Sequence, residues 1–542
     1  MIRISDLSVT PDTPLDAAGL RALAARCLHL PVARVLACHL RRRSVDARRK
    51  NDVRLIITLD ARLNSPQSEA AAIAANRRTP PKVTITPEPP TAPQLSTLHV
   101  PLSTPHIRPI VVGAGPAGLF AALALAEAGW RPLLVERGAP VEQRKRDVES
   151  FWRGGELNPQ SNVQFGEGGA GTFSDGKLTT GIQDPRCRKA LETLVAHGAP
   201  EEILYQAKPH IGTDRLPQTV KALRERICAL GGEVRFHTQL TGLWIDRGAL
   251  GGITLGAGDI EERIEAHRLI LAIGHSARDT FEMLHDAGLR MEQKLFSIGV
   301  RIEHAQAAVD RAQYGEFAGH PALGAAEYKL AAHLPGGRSV YTFCMCPGGR
   351  VVAASSEPGG VCTNGMSAFA RDGANANSAL LVGLLPCDFP SAHPLAGIQL
   401  QRELERAAFA AGGANYRAPA QLVGDLLAGH ESRTLEAVAP TYLPGIALGD
   451  LRACLPPFVL EALRQALPRF GRQVRGFDVS GALLTAPETR SSSPVRILRG
   501  TDGQASIRGL YPAGEGAGYA GGILSAAVDG VRAAEKLMNS EQ

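Results

Sequence analysis

"PIVVGAGPAGLFAALALAEAGWRPLLVERG" (Pro109–Gly138) reads as strand, glycine turn, helix, strand, and the fold of the whole chain turns on it. An apolar strand leads into Gly113-Ala114-Gly115-Pro116-Ala117-Gly118, which fits G-x-G-x-x-G, and Glu136 ends the next strand 18 residues after Gly118. The first glycine permits a tight turn, the second lets backbone approach a pyrophosphate, and the third lets helix and strand pack closely. Free N–H groups at the helix start and the helix dipole then favour the negative charge. Glu136 is placed for the ribose hydroxyls of an adenosine. A carboxylate is a poor neighbour for a 2′-phosphate, so NADP is not expected at this turn, while NAD and FAD both remain.

Pro109 to Ala126 carries no charge over eighteen residues, the lower edge of a membrane span. Four helix-breaking residues, Gly113, Gly115, Pro116 and Gly118, interrupt it, and the opening "MIRISDLSVTPDTPLD" lacks the basic-then-apolar layout of a signal peptide. No membrane is expected, and the compartment expected is the cytoplasm. A chain of 542 residues, 44% apolar and 21% charged, holds two or three ordinary globular domains. Nine cysteines without close regular spacing do not form a secreted disulfide framework, and "FCMC" (Cys344, Cys346) has no second pair to make a metal site.

Upstream, a strand ("IRISDLSV"), a helix with Leu15, Leu20, Leu23 and Leu28 on one stripe, and two further strands suggest a small β-α-β-β module of ferredoxin-like kind. Sixteen Lys and Arg against eight Asp and Glu give residues 1–108 a charge of +8, leaving −2 for the rest of a chain whose net charge is +6. Its densest stretch is "RRRSVDARRK" (Arg41–Lys50), which could hold RNA, a nucleotide or an acidic protein, or form a solvated hairpin. Nine prolines between Pro80 and Pro109 favour an extended linker.

Downstream, "LYPAGEGAGYAGG" (Leu510–Gly522) brings a second set of glycines four hundred residues later. It resembles the C-terminal flavin segment of the large FAD-dependent oxidoreductase class, and this resemblance selects FAD. It implies Gly514 and Glu515 beside the ribityl chain, and a helix opened by Gly521, Gly522 and Ile523 whose N-terminus faces the isoalloxazine. "LILAIGHSARDT", with Gly274, resembles the strand-glycine motif that recurs beside FAD in the same class. Together with "SNVQFGEGGAGTFSDGKL" (Ser161–Leu178), "YTFCMCPGG" and "ETRSSSPVRILR", these motifs resemble a bacterial family of FAD-dependent, or NAD-utilising, dehydrogenases over nearly the whole chain. The resemblance implies fold and cofactor and leaves the substrate open. By analogy Gly168, Gly169 and Ser174 lie by the flavin or its diphosphate, and Arg137 accompanies Glu136.

Flavin chemistry belongs to the cofactor, and protein groups position substrate and move protons. Five residues are candidates for that work. His275 follows the strand-glycine turn and could donate a proton or merely brace the turn. Arg490 and Arg496 could clamp a substrate carboxylate, with Ser491 to Ser493 as further donors, or lie on a solvated strand. Cys344 and Cys346, two apart in a strand, should share a face as a redox pair or as buried structural thiols.

The expected architecture is α/β: a Rossmann-type FAD-binding domain interrupted by a mixed α+β substrate or cap domain. Its parts are a basic module at 1–88, a linker at 89–108, FAD-binding segments at 109–290 and 481–542, and the cap at 291–480. The expected function is an FAD-dependent oxidoreductase moving a hydride through flavin N5 between a small-molecule substrate and an electron partner. With no second G-x-G-x-x-G, NAD(P)H would have to visit the substrate pocket transiently. Alternatives are an RNA-modifying flavoprotein using the basic module, a flavin monooxygenase, and a binding protein with structural FAD. No metal is expected.

Overall fold

The computed structural model describes residues 1–76, 82–86 and 108–540. The expected linker at 89–108 falls outside the described residues apart from Arg108.

The charge-free run that raised the membrane question is a short strand, Ile110–Val112, and a helix, Pro116–Glu127, buried on nearly every side. An all-apolar helix must be covered all round. One face meets the sheet, and another meets the closing helix Ile523–Asn539. That second contact depends on small residues: a Cβ on Gly530 would collide with the backbone carbonyl of Ala117. Among the described residues, no helix is long and apolar enough to cross a membrane.

Ile110–Val112 sits at the centre of a five-stranded parallel sheet in the order Leu510–Pro512, Leu269–Leu271, Ile110–Val112, Leu133–Val135, Glu233–Arg235. Parallel strands covered on both faces read as continuous apolar runs, as these inner ones do. Leu510 returns across four hundred residues to pair with Leu269, which places the two glycine-rich turns at the same end of one sheet.

A second, mostly antiparallel sheet of seven strands packs beside it. Its middle is formed by Ser339–Cys346, Asn375–Gly383, Ser297–Ala305 and Leu483–Glu488. The last of these corrects the expected boundary at 480. Leu483–Glu488 is buried throughout and belongs to this sheet, and Val495–Ile497 still pairs with Met291–Gln293. The run of apolar residues there satisfies either domain, so composition could not mark the crossing.

The N-terminal module is a four-stranded antiparallel sheet, ordered Val35–Asp46, Arg54–Leu63, Ile2–Val9, Lys82–Ile85, with helices Ala17–Cys27 and Pro66–Ala75. A second helix and a fourth strand thus extend the β-α-β-β reading. Leu20, Leu23 and Leu28 are buried as the stripe requires, and the Asp16 side chain caps the first helix by accepting from Gly19 N at 2.7 Å. The basic stretch is a docking strand. Arg43 N donates to Tyr205 O at 2.7 Å and Ala207 N donates to Arg43 O at 2.8 Å, while Lys50 Nζ donates to Gln313 O at 2.6 Å.

Candidate cofactor and substrate site

The glycine turn is shaped by contacts only bare backbone allows. Gly113 has φ +98°, and its N–H donates to Val135 O at 2.8 Å, closing the turn onto the neighbouring strand. A Cβ on Gly118 would fall on the Gly113 carbonyl. A Cβ on Gly115, by contrast, would meet only Gly169 Cα at 3.8 Å, so the space beside it is open. Gly115 is the N-cap of the Pro116 helix, and no side chain caps it. Orphan N–H groups at an uncapped helix start bind anions.

Glu136 joins three segments. Its Oε2 accepts from Ala114 N at 2.8 Å, and its Oε1 accepts from Gly138 N at 2.9 Å and from Gly166 N at 3.0 Å. A carboxylate offers about four acceptor positions, so one is left for a ribose hydroxyl. Arg137 beside it stacks on Phe165 at 4.1 Å and pairs with Asp279 through two bonds of 2.8 Å.

The Ser161–Leu178 loop is laid over the turn by a residue the sequence reading missed. Arg144, fully buried on the helix Val141–Trp152, donates to the carbonyls of Asn162, Val163, Gly166, Glu167 and Gly169 at 2.7 to 3.2 Å. Burial pulls its pKa down to about 10, against the charges of Glu136 and Glu167. Its only signal was an arginine on the apolar face of "VEQRKRDVESFW". Gly168 N donates to Ala114 O at 2.8 Å, which puts Gly168 behind the turn, while Gly169 faces Gly115. Ser174 Oγ donates to Gly171 O at 2.7 Å.

The second glycine segment meets the first from the other side. Gly514 N donates to Asp529 Oδ2 at 2.8 Å, and a Cβ on Gly514 would lie 2.7 Å from that of Ala117. Gly522, with φ +106°, is the uncapped start of the 17-residue helix Ile523–Asn539. Both helix starts open into one cavity of about 780 Å³. Of the expected cofactor residues, Gly113, Gly115, Pro116, Ala117, Glu136, Arg137, Gly169, Ser174, Gly274, Gly514, Glu515, Gly521, Gly522 and Ile523 line it. Gly118 and Gly168 stand behind that wall and shape it. The open space at Gly115 and at Gly521 is the kind of cradle a dinucleotide needs, and the residues present fit FAD. Burial pushes the Glu515 carboxyl up to about 7, with the Lys294 charge opposing it.

The second domain closes the cavity with Tyr341 to Met345, Asn364, Arg371, Glu488 and Arg490 to Ser492. Here the expected catalytic residues need correction. Arg496 lies outside the cavity, 3.4 Å from Glu292 and over the ring of Tyr519. Arg490 does line the cavity, but its fork is taken: Nε and Nη2 donate to Glu405 at 2.9 and 2.8 Å, and Nη1 donates to Ser356 Oγ at 2.5 Å. Arg278 donates to the same carboxylate at 2.8 and 3.0 Å. A carboxylate clamp for substrate is therefore not what Arg490 provides.

His275 lines the cavity but stays neutral. Burial, then the charges of Arg490 and Arg278, lower its pKa to about 3. Ser276 Oγ donates to Gln164 Oε1 at 3.0 Å, so it accepts from His275 Nδ1 at 3.1 Å, which assigns the proton to Nδ1 and leaves Nε2 an acceptor. Burial beside two guanidinium charges disfavours an imidazolium donor there near neutral pH. Because the folded protein binds this proton less readily than the unfolded chain, stability falls as pH drops from about 6.5 towards 3, by up to about 1.4 kcal/mol per pH unit. His275→Gln is expected to remove that component. Urea midpoints of the two proteins should differ by a constant above pH 6.5 and diverge from that constant below it, in the direction of a shallower acid loss for the variant. Parallel curves down to pH 4 would show that His275 is charged in the fold.

Three family models match parts of the chain. Residues 107–277 match the family model described as an FAD binding domain, and residues 295–491 match that of an FAD-dependent protein, C-terminal domain-like. Residues 1–62 match a domain of unknown function. A protein of Clostridium beijerinckii, described as uncharacterized, is 43% identical over 539 residues, covering 99% of this chain and 98% of its own. Among solved structures, a flavin-dependent brominase is 14% identical over 80% of this chain and 79% of its own, with a TM-score of 0.38. A geranylgeranyl bacteriochlorophyll reductase-like protein of Thermoplasma acidophilum is 15% identical over 80% and 78%, with a TM-score of 0.35.

Proposed function

We propose, from the premise that this chain belongs to the family of FAD-dependent proteins shared with its Clostridium beijerinckii relative, that it transfers hydride between NAD(P)H and a small substrate held under the second domain. The chain is an FAD-dependent oxidoreductase. The observation that carries the finer reading is the single cavity into which two uncapped helix starts and the second domain's strands all open. When bound, FAD supplies a two-electron carrier that accepts or gives hydride at N5.

The chain's own groups do the rest. The start of the Ile523 helix favours negative charge beside it. Glu515, with its pKa near 7, can hold or release a proton at neutral pH. His275 Nε2 offers an acceptor, and Tyr341, Phe343 and Met345 supply apolar surface to the cavity wall.

A second cavity of about 560 Å³ supports the nicotinamide part. Arg3, Arg41, Arg42 and Arg188 line it, and it shares Thr179 and Pro209 with the first. Arg3 and Arg188 there are paired with Asp60 and Glu192, while among the described residues Arg41 and Arg42 are the guanidinium groups left to meet the phosphates of a dinucleotide. The compartment that suits this reading is the cytoplasm, where thiols stay reduced.

The test is anaerobic mixing of the FAD-loaded protein with NADH and then NADPH, following flavin absorbance. Bleaching within seconds is expected with at least one of them. Flavin bands that persist with both would overturn the nicotinamide reading, and rapid oxygen uptake by the reduced protein would mark a monooxygenase instead.

A further inference from the structure

The strand Ser339–Cys346 carries two cysteines at the second domain's wall of the cavity, Cys344 lining it, and it is not a regular strand there. Its pairing with Asn375–Gly383 slips between Phe343 and Cys346, and Cys344 takes φ +43°. A residue with a side chain rarely adopts that conformation, and such residues gather at functional sites. The bulge separates what the sequence spacing would have put together. Cys344 lines the cavity, while Cys346 is fully buried behind it, with its Sγ 3.2 Å from Cys344 O.

Two cations reach this bulge, each paired with a buried carboxylate, Lys177 with Asp175 and Arg301 with Glu488. Lys177, from the glycine-rich loop, donates to Met345 O between the two cysteines and to Asp175, and Arg301 Nη1 donates to Cys344 O at 2.9 Å. A hydrogen bond from the Cys346 thiol, with the charges of Lys177 and Arg301, draws the Cys344 thiol below its ordinary range. Burial pushes other cysteines the opposite way, Cys38 and Cys454 to about 12 and Cys362 to about 11. Cys344 and Glu515 line the same cavity.

We propose that Cys344 and Cys346 are a redox-active pair that reduces a small-molecule disulfide in this cavity, with Cys344 as the attacking thiolate and Cys346 as the resolving thiol. The Cys344 sulfur attacks one sulfur of the substrate; a new S–S bond forms, the substrate S–S bond breaks, and the first thiolate leaves and takes a proton. Cys346 then loses its proton and attacks Cys344 Sγ. The Cys344–Cys346 bond closes and the second substrate thiol departs, so two electrons have passed from the pair to the substrate. Residues two apart in a strand lie about 6.6 Å apart, within the roughly 4.4 to 6.8 Å between Cα atoms that a disulfide spans. Reopening the pair takes two electrons and two protons, which on the reading above come from flavin reduced by NAD(P)H.

Closure itself needs no flavin turnover, so the two ideas fail separately. The FAD-loaded full chain is prereduced, desalted anaerobically and exposed to hydroxyethyl disulfide, then alkylated and mapped by peptide mass. The expected result is a loss of two hydrogens in a peptide linking Cys344 to Cys346, with exposed Cys387 still alkylated. Cys346→Ser should stop at a mixed disulfide on Cys344, and Cys344→Ser should yield neither product. In the untouched protein, Cys344 should alkylate at pH 6.5 at least tenfold faster than Cys387. Both thiols remaining alkylatable after the disulfide, or Cys344 reacting no faster than Cys387, would overturn the pair. A pair that closes but does not reopen with NADH or NADPH would leave the dithiol standing and sink its coupling to nicotinamide.

Discussion

A Gly115→Ala chain is expected to fold as the parent does and to emerge from purification without flavin. The added methyl group meets nothing closer than Gly169 Cα at 3.8 Å, so the empty fold accepts it. It stands, however, where backbone must lie bare for a pyrophosphate to reach the start of the Pro116 helix. We expect FAD affinity to fall at least a hundredfold, about 2.7 kcal/mol. Fluorescence titration with FAD measures this, and circular dichroism reports the fold. Gly118→Ala is the contrasting variant: its Cβ falls on the Gly113 carbonyl, so it should lose folded protein as well as cofactor. Unchanged FAD binding by Gly115→Ala would mean that the diphosphate lies elsewhere.

The largest loss of stability is expected from Glu405→Gln. This carboxylate is 2% exposed and accepts from Arg278, Arg490 and Thr489, the last at 2.6 Å. Those guanidinium charges hold its carboxyl far below the usual carboxylate range. Among the described residues, removing its charge leaves Arg490 without an ion-pair partner and Arg278 with Glu357, itself 31% exposed and shared with Arg402. Breaking a buried ion pair from one side costs roughly 3 to 5 kcal/mol. The melting temperature should drop by about 10 °C, taking about 3 °C for each kcal/mol in a domain of this size. Thermal unfolding followed by circular dichroism decides it, and a drop under 2 °C would show that the network carries little energy. The same network explains why Arg490, at the cavity wall, has no fork to spare for a substrate.

The cofactor half of the site was legible because its information is local. A tight turn, a close helix and an uncapped helix start are each written in a few consecutive residues, and glycine is the only residue that allows them. Gly521 and Gly522 could be joined to Gly113 only through resemblance, since nothing local says that Leu510 will pair with Leu269. The substrate half was less legible because its charges find partners far away in sequence. Arg490 meets Glu405 across 85 positions, and the neutrality of His275 depends on Arg278 and Arg490 together. Arg144 works through five carbonyls that no side-chain pattern announces. Cys344 and Cys346 looked like neighbours on one strand face, and only the bulge, fixed by pairing with Asn375–Gly383, sets one in the cavity and the other behind it.

The most direct measurement is the stoichiometry and identity of the flavin bound by the purified protein, supplied with FAD and FMN together, desalted, denatured and resolved by chromatography. A cavity with both helix starts occupied predicts FAD at one equivalent per chain, with FMN excluded because it lacks the adenosine that Glu136 is placed to hold. No retained flavin, or FMN taken in preference to FAD, would contradict the assignment of this cavity.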